Sequence, residues 1–226
     1  MAKRCLRGNI RLLFLVVVIF NYLIVSDSMA FTRNDAQLWT AVMLKMHMSY
    51  DNYLYLGREF RFGNHCKEVI YRYTEGGVSF EKYEWVHIAM LYRYGTRKKD
   101  GVWEEESTPH LNVTFIKRTD SIFLSTRNRI EYEMLRKTKD IWRYRNKIII
   151  GIPMKWNKKE LRPYVADEFF IDFDQDCHNI NQISGGIRFE LVENFLADVF
   201  CLWQSRVDRN WESPDHVVGM NLELTF

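Results

Sequence analysis

The sequence predicts an all-β fold: a closed antiparallel up-and-down transmembrane β-barrel of about 10–12 strands, preceded by a cleavable signal peptide. Three observations carry this prediction. After residue 30 the chain alternates polar and apolar residues at period two, which is typical of strands with two different faces. The alternating runs are about nine to thirteen residues long, as tilted membrane strands require. The last run alternates as well and ends in Phe226.

Residues 1–30 have the layout of a secretory signal peptide. Basic residues precede the apolar run LLFLVVVIFNYLIV, and Ser28 and Ala30 stand at small-residue cleavage positions. We expect cleavage after Ala30, which leaves residues 31–226 as the outer-membrane β-barrel domain. The alternative is an uncleaved anchor, which is disfavoured because the run is shorter than the ~20 residues of a spanning helix.

The composition after residue 30 excludes several classes of protein. This part of the chain has 28 basic and 28 acidic residues, because the leader supplies the excess behind the formal charge of +3. No basic surplus remains to suggest a nucleic-acid partner. The mean hydropathy of −0.31 excludes a bundle of transmembrane helices. The remaining cysteines, Cys66, Cys177 and Cys201, form neither a disulfide framework nor a zinc motif.

Eleven runs read as strands, and turn-like segments separate them. They lie near 36–47, 52–62, 67–77, 83–94, 109–117, 122–134, 141–152, 161–172, 180–191, 195–205 and 216–226. Tight connections alternate with longer polar ones near 95–107 and 206–215, as in outer-membrane barrels. A signal peptide and a terminal phenylalanine strand would place both termini in the periplasm. That requires an even number of strands, so we expect twelve in preference to ten.

Opposite charges select a register for the hairpin formed by RNRIEYEM and WRYRNKII. With the tip at 137–139, Glu131 faces Arg145 and Glu133 faces Arg143, while aromatic residues meet on the other face. Such cross-strand pairs stabilise antiparallel sheets. The sequence therefore predicts two specific ion pairs across this hairpin.

A second hairpin, with its turn at 192–194, gives a similar result. Arg188 then faces Asp198, and Ile187 faces Val199. A slip of one residue would move the charge to the apolar face, so this register is strongly preferred.

The charged positions of these strands share one face, which we call the lumen charge ladder. A row of paired charges suits a polar barrel interior, whereas the apolar face suits lipid. The ladder could line a pore that selects a small polar solute, or it could be a salt-bridged plug. The plug is favoured because barrels of about eight strands are filled by side chains and wide channels need about sixteen. Its members are Arg127, Arg129, Glu131, Glu133, Arg143, Arg145, Lys147, Glu168, Arg188, Glu190 and Asp198.

The final strand resembles the insertion signature that the barrel insertion machinery of bacterial outer membranes reads. Val218, Met220, Leu222, Leu224 and Phe226 fall on one face. The segments LSTRNRIEYEM, DIWRYRNKIIIGIP, LRPYVADEFFIDFD and VVGMNLELTF resemble an uncharacterised family of bacterial outer-membrane β-barrels known as domain of unknown function 2490. The resemblance covers essentially the whole chain after the leader. It implies a barrel in the bacterial cell outer membrane, with lipid and the insertion machinery as partners. It implies no activity or site.

No catalytic or cofactor motif is present, and we expect no cofactor. An outer-membrane lipid-modifying enzyme would need a Ser–His pair, for which Ser125 or Ser184 with His110 or His216 are candidates. The DxDxDxH run at 172–178 could hold Ca²⁺ but lacks the EF-hand glycine and distal glutamate. We therefore expect an outer-membrane barrel that is structural or a narrow pore. The alternatives are the lipid-modifying enzyme and a secreted β-sandwich or lipocalin-like binder.

Overall fold

The computed structural model describes residues 36–99, 101–136, 139–156, 159–173, 177–206 and 215–226. All of them belong to Arg33–Phe226, the second of two units into which the chain divides. The predicted signal peptide lies outside the described residues. Within the described ranges, no helix is long and apolar enough to cross a membrane.

The described residues form twelve β-strands. All strands but β8 have between 11 and 17 residues, whereas strands of soluble proteins usually have about five or six. This length suits tilted strands that cross a membrane. The strands are β1 Ala36–Ser49, β2 Asn52–Gly63, β3 Glu68–Tyr83, β4 Val86–Lys99, β5 Val102–Arg118, β6 Phe123–Leu135, β7 Ile141–Gly151, β8 Met154–Trp156, β9 Lys159–Asp172, β10 Cys177–Val192, β11 Phe195–Arg206 and β12 Asp215–Thr225.

Of the described strands, eleven close into a barrel. Neighbours in sequence pair antiparallel, except that β7 pairs with β9 and the short β8 extends β9 outside the ring. The closing pair of β1 and β12 is parallel, with Ala36 opposite His216 and Lys45 opposite Thr225. The prediction of a closed, all-β barrel is therefore confirmed, with one parallel seam.

The prediction of twelve barrel strands is wrong. An odd number closes the ring because β1 and β12 run in the same direction. Consequently Ala36 and Phe226 lie at opposite ends of the barrel, whereas the prediction placed both termini on one side. We call these the Ala36 end and the Phe226 end. The turns after β1, β3, β5 and β10 lie at the Phe226 end.

The predicted polar loop at 95–107 is also wrong. β4 continues to Lys99 and β5 starts at Val102, with Gly101 at φ +80° in the turn between them. Complementary side chains lie opposite each other here, as Arg97 does with Glu104, so the hairpin continues as paired strand. The predicted loop at 206–215 falls almost wholly outside the described residues.

The two faces of the barrel differ in chemistry as the alternation predicts. On β6, Leu124 and Ile130 are exposed on the outside, whereas Arg129 and Glu131 are buried in the lumen. On β12, Val218 is exposed on the outside. An apolar outer surface is the opposite of what a soluble lipocalin-like binder or β-sandwich presents, so this alternative is contradicted.

The predicted register of the β6–β7 hairpin is wrong by two residues. Glu131 lies opposite Arg143 and not Arg145, and Glu133 lies opposite Ile141. Both carboxylates nevertheless remain in the lumen, because a slip of two residues keeps every side chain on its face.

Asp140 bonds across the β6–β7 hairpin to residues of β6. Its Oδ1 accepts a hydrogen bond from the backbone N–H of Leu135 at 3.1 Å, and its Oδ2 accepts one from the Tyr132 hydroxyl at 2.7 Å. These two bonds lower the pKa of Asp140, the Tyr132 bond contributing most. They join the residue that precedes β7 to two residues of β6 in the observed register.

The register of the β10–β11 hairpin is the predicted one. Arg188 lies opposite Asp198, and Ile187 lies opposite Val199. The turn is short and includes Asn194 in the left-handed region at φ 65°, a conformation that asparagine tolerates well. A short turn leaves little freedom for the strands to slip.

Candidate functional site: the ion-paired lumen

Glu168 on β9 is the point at which three ladder cations meet. Its carboxylate oxygens lie 2.9 Å from Nη2 of Arg127, 2.7 Å from Nη2 of Arg145 and 3.7 Å from Nζ of Lys147. Glu168 is only 3% exposed. Glu168, a predicted member of the lumen charge ladder, thus contacts three of its basic residues.

Arg143 on β7 binds carboxylates on both neighbouring strands. Its Nη1 lies 2.9 Å from Oε2 of Glu133 and 3.7 Å from Oε1 of Glu131 on β6. Its Nε lies 2.5 Å from Oδ1 of Asp172 on β9, and its Nη2 donates to Oδ2 at 3.1 Å. The predicted Glu133–Arg143 pair thus forms diagonally. Asp172 serves this ion pair, while the other acids of the DxDxDxH run fall outside the described residues.

Arg129 and Arg145 bracket Glu131 near the middle of the lumen. Glu131 Oε2 lies 3.5 Å from Nη1 of Arg145 and 3.8 Å from Nη1 of Arg129. Arg129 also donates from Nε to Oδ1 of Asn112 on β5 at 2.7 Å. The second predicted pair, Glu131–Arg145, therefore exists as a diagonal contact. Arg129 thus contacts the side-chain amide of Asn112 and, at a longer distance, the carboxylate of Glu131.

The network continues onto β3, β4 and β5, which the sequence-derived ladder left out. Arg93 donates from Nη2 to Oε2 of Glu75 at 2.9 Å. Nε2 of His110 lies 3.4 Å from the same oxygen. Reading the alternation of TEGGV and YRYGTR by parity would have placed Glu75 and Arg93 inside.

Arg97 links these strands to the ladder. Its Nη2 lies 3.0 Å from Oε2 of Glu106 and 3.3 Å from Oε1 of Glu133. The Tyr71 hydroxyl donates to Glu106 from β3. Charges are therefore connected from β3 through β9, which is more than half of the barrel wall.

Asp198 on β11 forms the remaining ladder pair. Its Oδ2 lies 3.1 Å from Nη2 of Arg188, and its Oδ1 accepts a hydrogen bond from the Tyr164 hydroxyl at 2.9 Å. Glu190 instead accepts the backbone N–H of Asn194 at 3.2 Å. The structure thus assigns Glu190 to the turn at the Phe226 end.

Apolar side chains pack together inside the barrel where β11, β12 and β1 meet. Trp39, Leu202 and Val217 are buried together, with Phe200 packed against them. Gly219 makes room for the phenyl ring of Phe200, since a Cβ at position 219 would lie 2.1 Å from Cζ of Phe200. Phe200 therefore points inward, and the following residue, a free cysteine, points outward.

Four residues of the predicted insertion signature, Val218, Met220, Leu222 and Leu224, share the outward parity of β12, and Phe226 follows the end of this strand. Val218 and Phe226 are exposed, whereas Leu222 is buried. The backbone N–H of Phe226 donates to Lys45 O at 2.9 Å, and its carbonyl accepts the His47 N–H at 3.0 Å. The terminal residue thus completes the parallel seam.

The proposed Ser–His pairs are not assembled. Ser125 and Ser184 both lie buried in the lumen, and within the described residues neither hydrogen-bonds a histidine. His110 lies opposite Glu131 on β6, six residues along the strand from Ser125. Among the side chains that the structure describes, no group of three or more acids, histidines and cysteines could hold a metal ion.

The barrel is similar in fold to solved structures. The β-domain of the Bordetella autotransporter BrkA superposes with a TM-score of 0.51 at 9% identity, over 75% of this chain and 81% of that one. LpxR from Salmonella typhimurium gives a TM-score of 0.45 at 5% identity, over 78% and 83%. No curated protein matches the sequence. The family model described as "Protein of unknown function (DUF2490)" matches residues 36–212, and the chain belongs to this family.

Proposed function

We propose that the chain is an outer-membrane β-barrel whose lumen is closed by ion pairs and apolar packing, so that it is a structural membrane protein and not a conducting pore. The observation that carries this proposal is the burial of charged side chains in mid-lumen. Glu131 is 2% exposed and Glu168 is 3% exposed, although both lie on the inner face of a barrel. Carboxylates that line a water-filled channel would be accessible to water.

The proposed location in the outer membrane is supported by the length of the strands and the chemistry of the outer surface. Every described barrel strand is long enough to cross a bilayer at a tilt. The exposed outer side chains are largely apolar, with Trp142 and Trp203 toward the Ala36 end and Phe226 at the other. Aromatic residues at both edges of an apolar band are typical of membrane barrels.

The exposed fraction of the arginine side chains is smaller at the centre of the lumen than toward its two ends, which favours a closed centre. The side chain of Arg129 at the centre is 6% exposed, whereas those of Arg97 and Arg188 toward the two ends are 51% and 41% exposed. The exposed fraction of the charged side chains therefore falls from both mouths toward the carboxylates of Glu131 and Glu168. A narrow pore for a small polar solute would need this region to open.

Conductance in planar lipid bilayers tests the closed lumen. We expect no conductance steps from the wild type. The variant Arg145→Ala/Glu168→Ala removes the central ion pair and leaves Arg127 and Lys147, so it should form small, anion-selective channels. This variant is also the control that insertion occurs. Stable conductance of the wild type would favour the pore.

A further inference from the structure

Arg58 places a positive charge on the outer surface of the barrel. It lies on β2 between Leu56 and Phe60, which face outward on either side of it along the strand. Its Nη1 donates to Oγ1 of Thr74 at 2.5 Å, and its guanidinium stacks on the Phe60 ring at 5.0 Å. No carboxylate lies within ion-pair distance of it in the described part of the chain.

Asp167 places a negative charge on the outer surface elsewhere. It is exposed on β9 between Val165 and Phe169, which share its outward parity. Its Oδ1 accepts a hydrogen bond from Nδ2 of Asn181 on β10 at 2.9 Å. Over the ranges that the structure describes, no cation pairs with it. The apolar surface therefore carries an arginine, Arg58, and a carboxylate, Asp167, without ion-pair partners. Arg72 on β3, which donates to Oγ1 of Thr96, is a second outward arginine of this kind among the described residues.

The two charges lie at about the same depth. The hydrogen-bonded register climbs around a tilted barrel, so direct partners drift along the strands. Starting from Arg58 and going through β1, β12, β11 and β10, the series of directly opposed residues includes Val42 and Leu222 and ends at Leu161 on β9. Starting from Arg58 in the other direction, through β3, β4 and β5, the series reaches Met134 on β6. Its continuation through β7 would meet β9 beyond Asp172, the last paired residue of that strand. Asp167 lies roughly midway between these two positions.

The two charges also lie on opposite sides of the ring. Going from β2 to β9, six strand-to-strand steps lead one way and five lead the other. A contact that joins Arg58 of one copy to Asp167 of the next would therefore use two different surfaces. Such heterologous contacts generate open rows when the rotation does not close.

Polar groups near Asp167 on the neighbouring strands already have partners within the chain. Nδ2 of Asn146 on β7 donates to Oδ1 of Asn128 at 3.0 Å, and the Tyr144 hydroxyl donates to the same oxygen at 2.7 Å. Asn146 is only 9% exposed. Asp167 is therefore the exposed charge of this part of the outer surface, and a charge facing lipid is costly unless it has a partner.

We propose that this barrel self-associates in the membrane through Arg58 of one copy and Asp167 of the next. The inference rests on the proposed membrane location, because only a lipid surround makes the two unpaired charges costly. A second copy is the partner whose charge complements both sites at one depth. Since the sites are nearly opposite, the product is a row of barrels.

Charge reversal in two separate preparations tests this proposal. Full-length Arg58→Glu and Asp167→Arg are reconstituted into lipid vesicles, and chains per cluster are counted by single-molecule photobleaching. Each variant alone should be monomeric, with association at least about tenfold weaker than in the wild type. An equal mixture should associate again, because each new charge meets its complement on the other variant.

Lys117→Glu is the matched control. Lys117 is exposed near the end of β5 and shares the outward parity of Leu111 and Phe115, but it lies close to the Phe226 end and away from both sites, so its reversal should leave association unchanged. If a reversal variant does not fold, Arg58→Gln and Asp167→Asn should still weaken association. Monomeric wild type, associating single variants or a mixture that stays monomeric would each overturn the proposal. A wild type without heat-modifiable gel migration would instead count against the membrane barrel itself.

Discussion

Replacing Glu168 by glutamine should destabilise the barrel more than any surface substitution. The amide keeps the size of the side chain and removes its charge, so that Arg127, Arg145 and Lys147 lose the carboxylate between them. Removing one member of a buried ion pair typically costs about 3–5 kcal/mol, because the remaining charge stays buried without compensation.

The low end of that range applies to this site. The side chains of Arg127 and Lys147 are about a quarter exposed and can recruit water, and Arg145 keeps Glu131 at 3.5 Å. We therefore expect Glu168→Gln to lower the free energy of unfolding by about 3 kcal/mol.

Urea-induced unfolding in lipid vesicles, followed by tryptophan fluorescence, measures this loss. Glu160→Gln is the matched control, because Glu160 is exposed on the same strand and surface substitutions usually change stability by less than about 0.5 kcal/mol. If Glu168→Gln behaved like this control, Glu168 would be hydrated and the closed-lumen account would be refuted.

Three further perturbations test separate parts of the structure. Asp198→Asn should cost about 1.5 kcal/mol in the same unfolding assay, because its two bonds to an arginine and a tyrosine lose their charged acceptor. Gly219→Ala should cost about 1–3 kcal/mol since its Cβ would meet a phenyl ring, whereas Gly185→Ala has ordinary space and should be nearly neutral. Cysteines replacing the opposed residues Asn128 and Asn146 should be joined by a short bifunctional thiol reagent, and a pair offset by two residues should react less.

Alternation predicted the strands and their faces because it reports which side each residue occupies. The same property explains the error at Glu131 and Arg145. A slip of two residues keeps every side chain on the same face, so the alternation fits both registers equally well. In the observed register Asp140 can bond to Leu135 and Tyr132 across the hairpin, a contact that the alternation does not reveal. The turn of the β10–β11 hairpin is too short to allow two registers that differ by two residues, and there the predicted pair of Arg188 and Asp198 is confirmed.

The strand number and the complete network depend on contacts between distant segments. The parallel seam between β1 and β12 leaves no local pattern, so the even number was inferred from an assumption about the termini. Arg127 and Glu168 lie on strands that are separated by β7, and cross-strand reasoning considers only direct neighbours. Glu75 and Arg93 were missed because the ladder was taken from the hairpins with the clearest charge pairing.

The accessibility of a lumen cysteine to a charged, membrane-impermeant thiol reagent tests the closed lumen most directly. The experiment uses a chain in which Cys66, Cys177 and Cys201 are serine, carrying either Ser184→Cys in the lumen or Glu193→Cys in the exposed β10–β11 turn. A closed lumen predicts that Ser184→Cys reacts at least about a hundredfold more slowly, because labelling must wait for local opening. Equal labelling rates at the two positions would show an open, water-filled channel and contradict the account.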